Sequence, residues 1–416
     1  FTFIAGIFVT EVSVLILTIY FLIKNRNFDY FRDKLILCFI IFAIYIAVVA
    51  IFKIDHIDLK ISSIFYFRYI LFALSIYYLL DFPKKELIEI KNILSIIFLL
   101  FLFIFFDSFY QFFVGKNLFG YEIINQRISS IFGEELILGS FLIKTLPILL
   151  WFIFYFKFDM EKHRLFLIIF FSFFLITIYL SGGRTSFALM LVLIFLIIFF
   201  LKPLKKIFIY SLITLVLFIS LTSSSKFGKS DIFNRMVKKS FNQITNNFFL
   251  EGDNMVFTQE KLSDSKKKIK KNLKLFSSDH QGHYELALNL FSQNPIVGVG
   301  AKGFRFHCRK INYYSEIGIC STHPHNTAIQ LLSETGFLGF LSYAIFLFFI
   351  IFNFFRFLKK NSEFNKKNGF LVISIGLLIY LFPFLPSGNF FSNWSSIILF
   401  YYVGFYLYSY NNLKKE

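Results

Sequence analysis

Apolar residues in this chain run on without a polar stripe. Eleven such stretches stand out, at about 2–23, 35–52, 61–80, 93–113, 136–156, 165–181, 185–201, 207–222, 330–355, 369–385 and 395–410. A helix crosses a bilayer in roughly 20 residues, and in hydrocarbon a helix satisfies its own backbone groups. The pattern predicts an all-α polytopic integral membrane protein with about 11 transmembrane helices in this chain. It divides the chain into an N-terminal transmembrane bundle of eight spans (1–222), a large loop (223–324) and three C-terminal spans (325–416). Pro147, Pro383 and Pro386 fall within or beside spans and are expected to kink or end them.

Composition excludes a soluble protein. Hydrophobic residues make up 57% of the 416 and charged residues 16%, and Phe alone fills 66 positions. That is more apolar surface than soluble cores of this size hide. The net charge of +18 would suggest nucleic acid in a soluble chain. Here the basic residues follow the loops, so no nucleic-acid partner is expected. Lys24, Arg26, Arg32, Lys34, Lys84, Lys85, Lys91, Lys157, Lys162, Arg164, Lys202, Lys205, Lys206, Arg356, Lys359, Lys360, Lys366, Lys367, Lys414 and Lys415 share one side. The short loops of the other side hold Lys53, Lys60, Lys116, Arg127 and Arg184. The positive-inside rule puts the first side and the C-terminal tail in the cytoplasm and the long loop outside. Phe1 already lies in an apolar run, so a further N-terminal helix, giving twelve spans, is expected to precede it. No cleavable signal peptide is recognised.

The long loop reads as folded in its second half. Residues 281–293 form an amphipathic helix pattern that Asn294-Pro295 stops. Gly298, Gly300 and Gly303 then provide for a tight turn or a close backbone approach. Cys38 sits in a span as a small apolar side chain. Cys308 and Cys320 share the external loop, where they are either bridged or two unpaired thiols.

Chemistry concentrates where that loop meets the membrane. The stretch Cys320-Ser-Thr-His-Pro-His-Asn-Thr leads into an apolar helix, placing His325 and Asn326 just before Gly336 and Gly339. A histidine there titrates near neutrality and can take a proton from a hydroxyl. Glycines three apart would let a neighbouring helix approach. The histidines His280, His283, His323 and His325, with Asp279, invite comparison with a metal site, but no zinc-ligand spacing accompanies them and no metal or cofactor is expected.

His325, Asn326, Gly336 and Gly339 together resemble the motif of the O-antigen ligase / O-antigen polymerase superfamily. Three further pieces resemble the same family in order: 126–142 with Arg127, 180–195 with Arg184, and 294–305 with Arg305. The related core covers about 165–350. The resemblance implies a GT-C-like architecture with one large periplasmic loop, in a bacterial inner membrane, with the active site facing the periplasm. It implies transfer of a glycan from undecaprenyl diphosphate to a sugar hydroxyl of lipid A-core, His325 acting as base and Asn326 positioning it or the acceptor. Lipid-linked glycan is the alternative acceptor, which would make the chain an O-antigen polymerase. A diphosphate leaving group calls for guanidinium partners, and Arg127, Arg184 and Arg305 all fall on the expected external side. Glu134 and Glu135 would balance these arginines or orient the acceptor. Arg68 and Lys144 lie inside spans and rank below them. A transporter or flippase would show paired repeats and interrupted helices, which the sequence lacks.

Overall fold

The computed structural model describes residues 6–25, 28–81, 91–223, 231–238, 241, 278–310 and 320–416. Its elements are α1 (Ile7–Lys24), α2 (Lys34–Lys53), α3 (Ile57–Ile64), α4 (Arg68–Asp81), α5 (Lys91–Val114), α6 (Leu138–Tyr155), α7 (Arg164–Leu180), α8 (Arg184–Phe200) and α9 (Lys202–Thr222). The loop contributes α10 (Ser278–Gln293) and α11 (Phe304–Lys310). The chain closes with α12 (Thr327–Lys359), α13 (Phe364–Tyr380) and α14 (Asn393–Lys415). No strand occurs among the described residues; two isolated bridges, Lys116 to Glu122 and Ile124 to Arg127, pin the turn between α5 and α6.

Each of the eleven apolar stretches overlaps a helix among the described residues. Among the described residues seven helical segments are long and apolar enough to cross a membrane, with α3 and α4 counting as one, and the apolar α7 and α8 have 17 residues each. The protein is therefore a polytopic helical membrane protein. Its outer faces carry side chains that water would not support, such as Phe8, Phe52, Ile23 and Phe199, each more than three-fifths exposed.

Packing without a hydrophobic drive between helices relies on close fit. α4 lies on α14, α6 on α13, α7 on α9, and α13 touches α6, α8, α12 and α14. α13 is the central helix: Phe370 through Leu377 are all buried. Trp151 of α6 donates to Ser409 of α14 at 2.8 Å, and Tyr402 of α14 donates to the Lys144 carbonyl of α6 at 2.7 Å.

Two boundaries depart from expectation. The span expected at 369–385 is a helix that ends at Tyr380. Pro383 brings no N–H and pushes the residue before it out of helical geometry, so the apolar residues beyond form a loop instead. The span expected from 330 begins at Thr327 and is broken once, at Gly336, with φ 62° and ψ −167°.

Candidate active site

The site is built at the N-terminus of α12. Asn326 is its N-cap: the side-chain oxygen accepts from the Ile329 N–H at 3.1 Å, and the amide nitrogen donates to the Pro383 carbonyl at 2.8 Å. Both ends of the side chain are thus spent on backbone. The residue before it, His325, has φ 58°, a left-handed conformation uncommon for a side chain of this size. Its carbonyl accepts from the Ser387 N–H at 2.8 Å, and its Nε2 lies 2.9 Å from the Ser321 hydroxyl. The His323 and His325 rings sit 4.1 Å apart between centroids, with His283 of α10 at 5.4 Å from His325. Among the described residues no three His, Cys, Asp or Glu side chains are grouped to hold a metal ion.

The loop between α13 and α14 holds this corner from below. Thr327 and Ser387 share a hydroxyl hydrogen bond of 2.8 Å. The fully buried Gln330 accepts from the Phe390 N–H at 2.9 Å and donates to Asn389 at 2.8 Å and Glu334 at 2.9 Å. Glu334 in turn accepts from the Phe304 N–H at 3.2 Å, tying the long loop to the same helix.

Between these elements lies a cavity of about 520 Å³ whose polar wall includes Arg127, Lys144, Ser186, His325, Thr327 and Tyr380. It opens among the N-terminal ends of α6, α8 and α12, the end of the bundle expected to face outward. Its wall carries no Asp or Glu. A second, apolar cavity of about 360 Å³ runs between α2 and α12 past Phe39, Leu331, Phe346 and Leu381; Phe390 belongs to both walls.

Arginines surround the turn from α7 to α8. Arg127 donates from Nε to the Ser181 carbonyl at 3.2 Å and from Nη2 to the Leu136 carbonyl at 2.5 Å. Arg235 donates from Nε to the Gly182 carbonyl at 2.9 Å and from Nη1 to the Asn125 carbonyl at 3.2 Å. Arg184 is the exposed first residue of α8. Burial, then the neighbouring Arg235, pulls the Arg127 guanidinium below its ordinary pKa; burial, then Arg184, does the same to Arg235. Three cations thus gather at the N-terminal end of α8, where the helix dipole is positive.

Not every candidate residue joins this group. Neither Arg305 nor Arg184 lines the cavity, although Thr185 and Ser186 next to Arg184 do; the Arg305 charge is felt by Lys302 and Glu334. Glu134 and Glu135 are exposed and also lie off the wall. Gly336 and Gly339 do not admit a neighbouring helix. A Cβ on Gly336 would meet the loop carbonyl of Ile296, and one on Gly339 would meet the Thr335 side chain of its own helix. Cys308 and Cys320 are joined, with Cα atoms 5.8 Å apart, and sit in a small loop core with Leu286, Leu290 and Phe304. Sequence reasoning passed over Arg235 and Ser387. Arg235 lay in a polar stretch without pattern, and Ser387 in the short stretch between the last two expected spans.

Residues 168–344 match the family model described as O-antigen ligase. The match takes in Arg184, Arg235, His325, Asn326 and the break at Gly336. No curated protein matches the chain.

Proposed function

We propose that the chain, which belongs to the O-antigen ligase-like superfamily, moves a glycan from undecaprenyl diphosphate to a sugar hydroxyl of lipid A-core at the periplasmic face of the inner membrane. At the coarser level the family makes it a membrane enzyme of the O-antigen ligase/polymerase type acting on lipid-linked glycans. The observation that carries the finer reading is the cavity wall: Arg127, Lys144 and two histidines with no carboxylate among them. Such a wall attracts a diphosphate and offers a histidine, not a carboxylate, as base.

The chemistry follows from the placement. His325 accepts the acceptor hydroxyl's proton as that oxygen attacks the anomeric carbon. Proton transfer accompanies attack, because a sugar hydroxyl is far less acidic than imidazolium. The bond from the anomeric carbon to the phosphate oxygen breaks, and its electrons leave on undecaprenyl diphosphate. Arg127 and Arg184 stabilise the charge that develops there. A single displacement inverts the anomeric centre. Asn326, committed to capping α12, holds His325 in its left-handed conformation rather than touching substrate. The apolar cavity beyond Phe390 accommodates part of the lipid tail.

The test is transfer by the purified chain in nanodiscs from lipid-linked glycan to lipid A-core. His325→Ala is expected to remain folded and to lose about 10²- to 10⁴-fold in rate. Near-normal transfer by that variant sinks the base assignment. In cells lacking the chain, free lipid A-core beside accumulated lipid-linked polymer supports ligation, whereas single repeats on the core identify a polymerase.

A further inference from the structure

Lys144 is the one wall residue of the cavity whose charge the reaction above leaves unused. It stands six residues beyond the first residue of α6, roughly 9 Å deeper along the helix axis. A lysine at such depth in a span is costly unless it is paired or its ammonium snorkels to the headgroups. Lys144 has no such partner among the described residues. It is half-buried and lines the cavity, with Nζ 5.3 Å from the centroid of the Tyr380 ring. Among the described residues it forms no ion pair, and no carboxylate shares its wall. A π face offsets only part of an ammonium's desolvation.

Depth distinguishes it from the other cations. Arg127 is fastened at the cavity rim, to carbonyls at the start of α6 and the end of α7. In a polyprenyl diphosphate glycan the phosphate esterified to the lipid lies nearer the bilayer than the phosphate that bears the sugar. The two cations are stacked in the same sense. We propose that Lys144 binds the lipid-proximal phosphate of the donor, while Arg127 meets the sugar-bearing one. This rests on the donor reading above and adds a deep subsite to it: an ammonium that shares its wall with the Ser140 and Ser395 hydroxyls, placed for a phosphate monoanion rather than for a sugar.

The experiment measures binding of three lipids of equal chain length to the full chain in nanodiscs: polyprenyl diphosphate, polyprenyl monophosphate and the uncharged prenol. Lys144→Met is expected to weaken both phosphorylated lipids by a similar factor, on the order of ten- to a hundredfold for one lost charge-assisted contact, and to leave prenol unchanged. Lys144→Arg should keep most of the affinity. Arg127→Met should weaken the diphosphate more than the monophosphate, because only the former reaches the rim. Lys144→Gln, closer in length and polarity, provides a second reading if the Met variant also loses prenol; it must show the same selective loss. Unaltered binding of both phosphorylated lipids by either neutral variant overturns the proposal. If the unmodified chain binds the two phosphorylated lipids no better than prenol, the donor reading itself fails, and this assignment with it.

Discussion

Gly336 of α12 lies against the carbonyl of Ile296: a Cβ built on Gly336 would stand 2.3 Å from that oxygen. The contact is part of a reciprocal exchange. The Val299 and Gly300 N–H groups donate to the Ser333 and Glu334 carbonyls at 3.0 and 2.8 Å. The Phe337 and Leu338 N–H groups donate to the Pro295 and Ile296 carbonyls at 2.8 and 3.3 Å. The long loop thus satisfies the backbone groups that the break in α12 releases, as buried backbone groups require.

Gly336→Ala therefore meets both a positive φ and a backbone oxygen that has no rotamer to escape into. Left-handed strain alone is worth about 1–3 kcal/mol, and the clash adds to it. Gly120, with φ 89° and nothing within 4 Å of a built Cβ, isolates the strain term. Thermal unfolding in detergent should show a clearly larger loss for Gly336→Ala than for Gly120→Ala. Equal losses would mean that the loop does not hold the break.

Lys302 makes a pH prediction for the same docking. It donates to the Ser62 hydroxyl at 2.6 Å, and burial, then Arg305 and Arg68, push its pKa down to about 8. In the unfolded chain it titrates near 10.5. Between those values the unfolded state binds more protons, so stability rises with pH from about 8 to 10.5; below pH 8 the cost of burying the charge is fully present. Lys302→Met should raise the unfolding temperature at pH 7 and show a smaller gain above pH 10. A pH-independent difference between the two proteins contradicts this.

The helices were legible because crossing a bilayer demands long apolar runs, and that demand leaves a mark no local choice of side chain erases. His325 and Arg184 were legible as polar groups at the ends of such runs. Gly298 and Gly300 announced a close approach, yet not its partner, because the partner of 295–300 is the backbone of 333–338 and backbone pairing carries no side-chain signature. The cavity floor was illegible for the opposite reason. Residues 381–385 are apolar enough to read as the end of a span, and only Pro383 and Pro386 hinted that Ser387 and Phe390 would turn under His325. Arg235 became visible only through the carbonyls it grips.

The bond between Cys308 and Cys320 closes a segment of sequence separation 12 that leads into Ser321 and His325. Alkylation of the unreduced protein should modify Cys38 alone, and reduction should release two more thiols. A loop of this size is worth about 3 kcal/mol in the unfolded-chain model, so the Cys308→Ser/Cys320→Ser protein should unfold at lower temperature. Three reactive thiols before reduction would dispose of the bridge.

Arg127 and Arg235 grip consecutive carbonyls of one turn, Ser181 and Gly182, at 3.2 and 2.9 Å. A Cβ on Gly182 would lie 2.7 Å from Arg127 Cγ and 3.2 Å from Arg235 Cδ, so the two side chains close on the turn from both sides. Arg184 begins α8 immediately after it. Arg235 is thus expected to act through the turn, fixing where Arg127 and Arg184 present their charge. Arg235→Ala should weaken binding of polyprenyl diphosphate by roughly tenfold, the worth of one charged hydrogen-bond set. Arg235→Lys should recover little, since one ammonium cannot span the Gly182 and Asn125 carbonyls as a guanidinium fork does. Because both arginines serve one turn, the Arg127→Ala/Arg235→Ala double variant should lose less than the two single losses added together. Strict additivity of the binding losses would show that the two act independently, and the turn would then be no part of how the arginines are held.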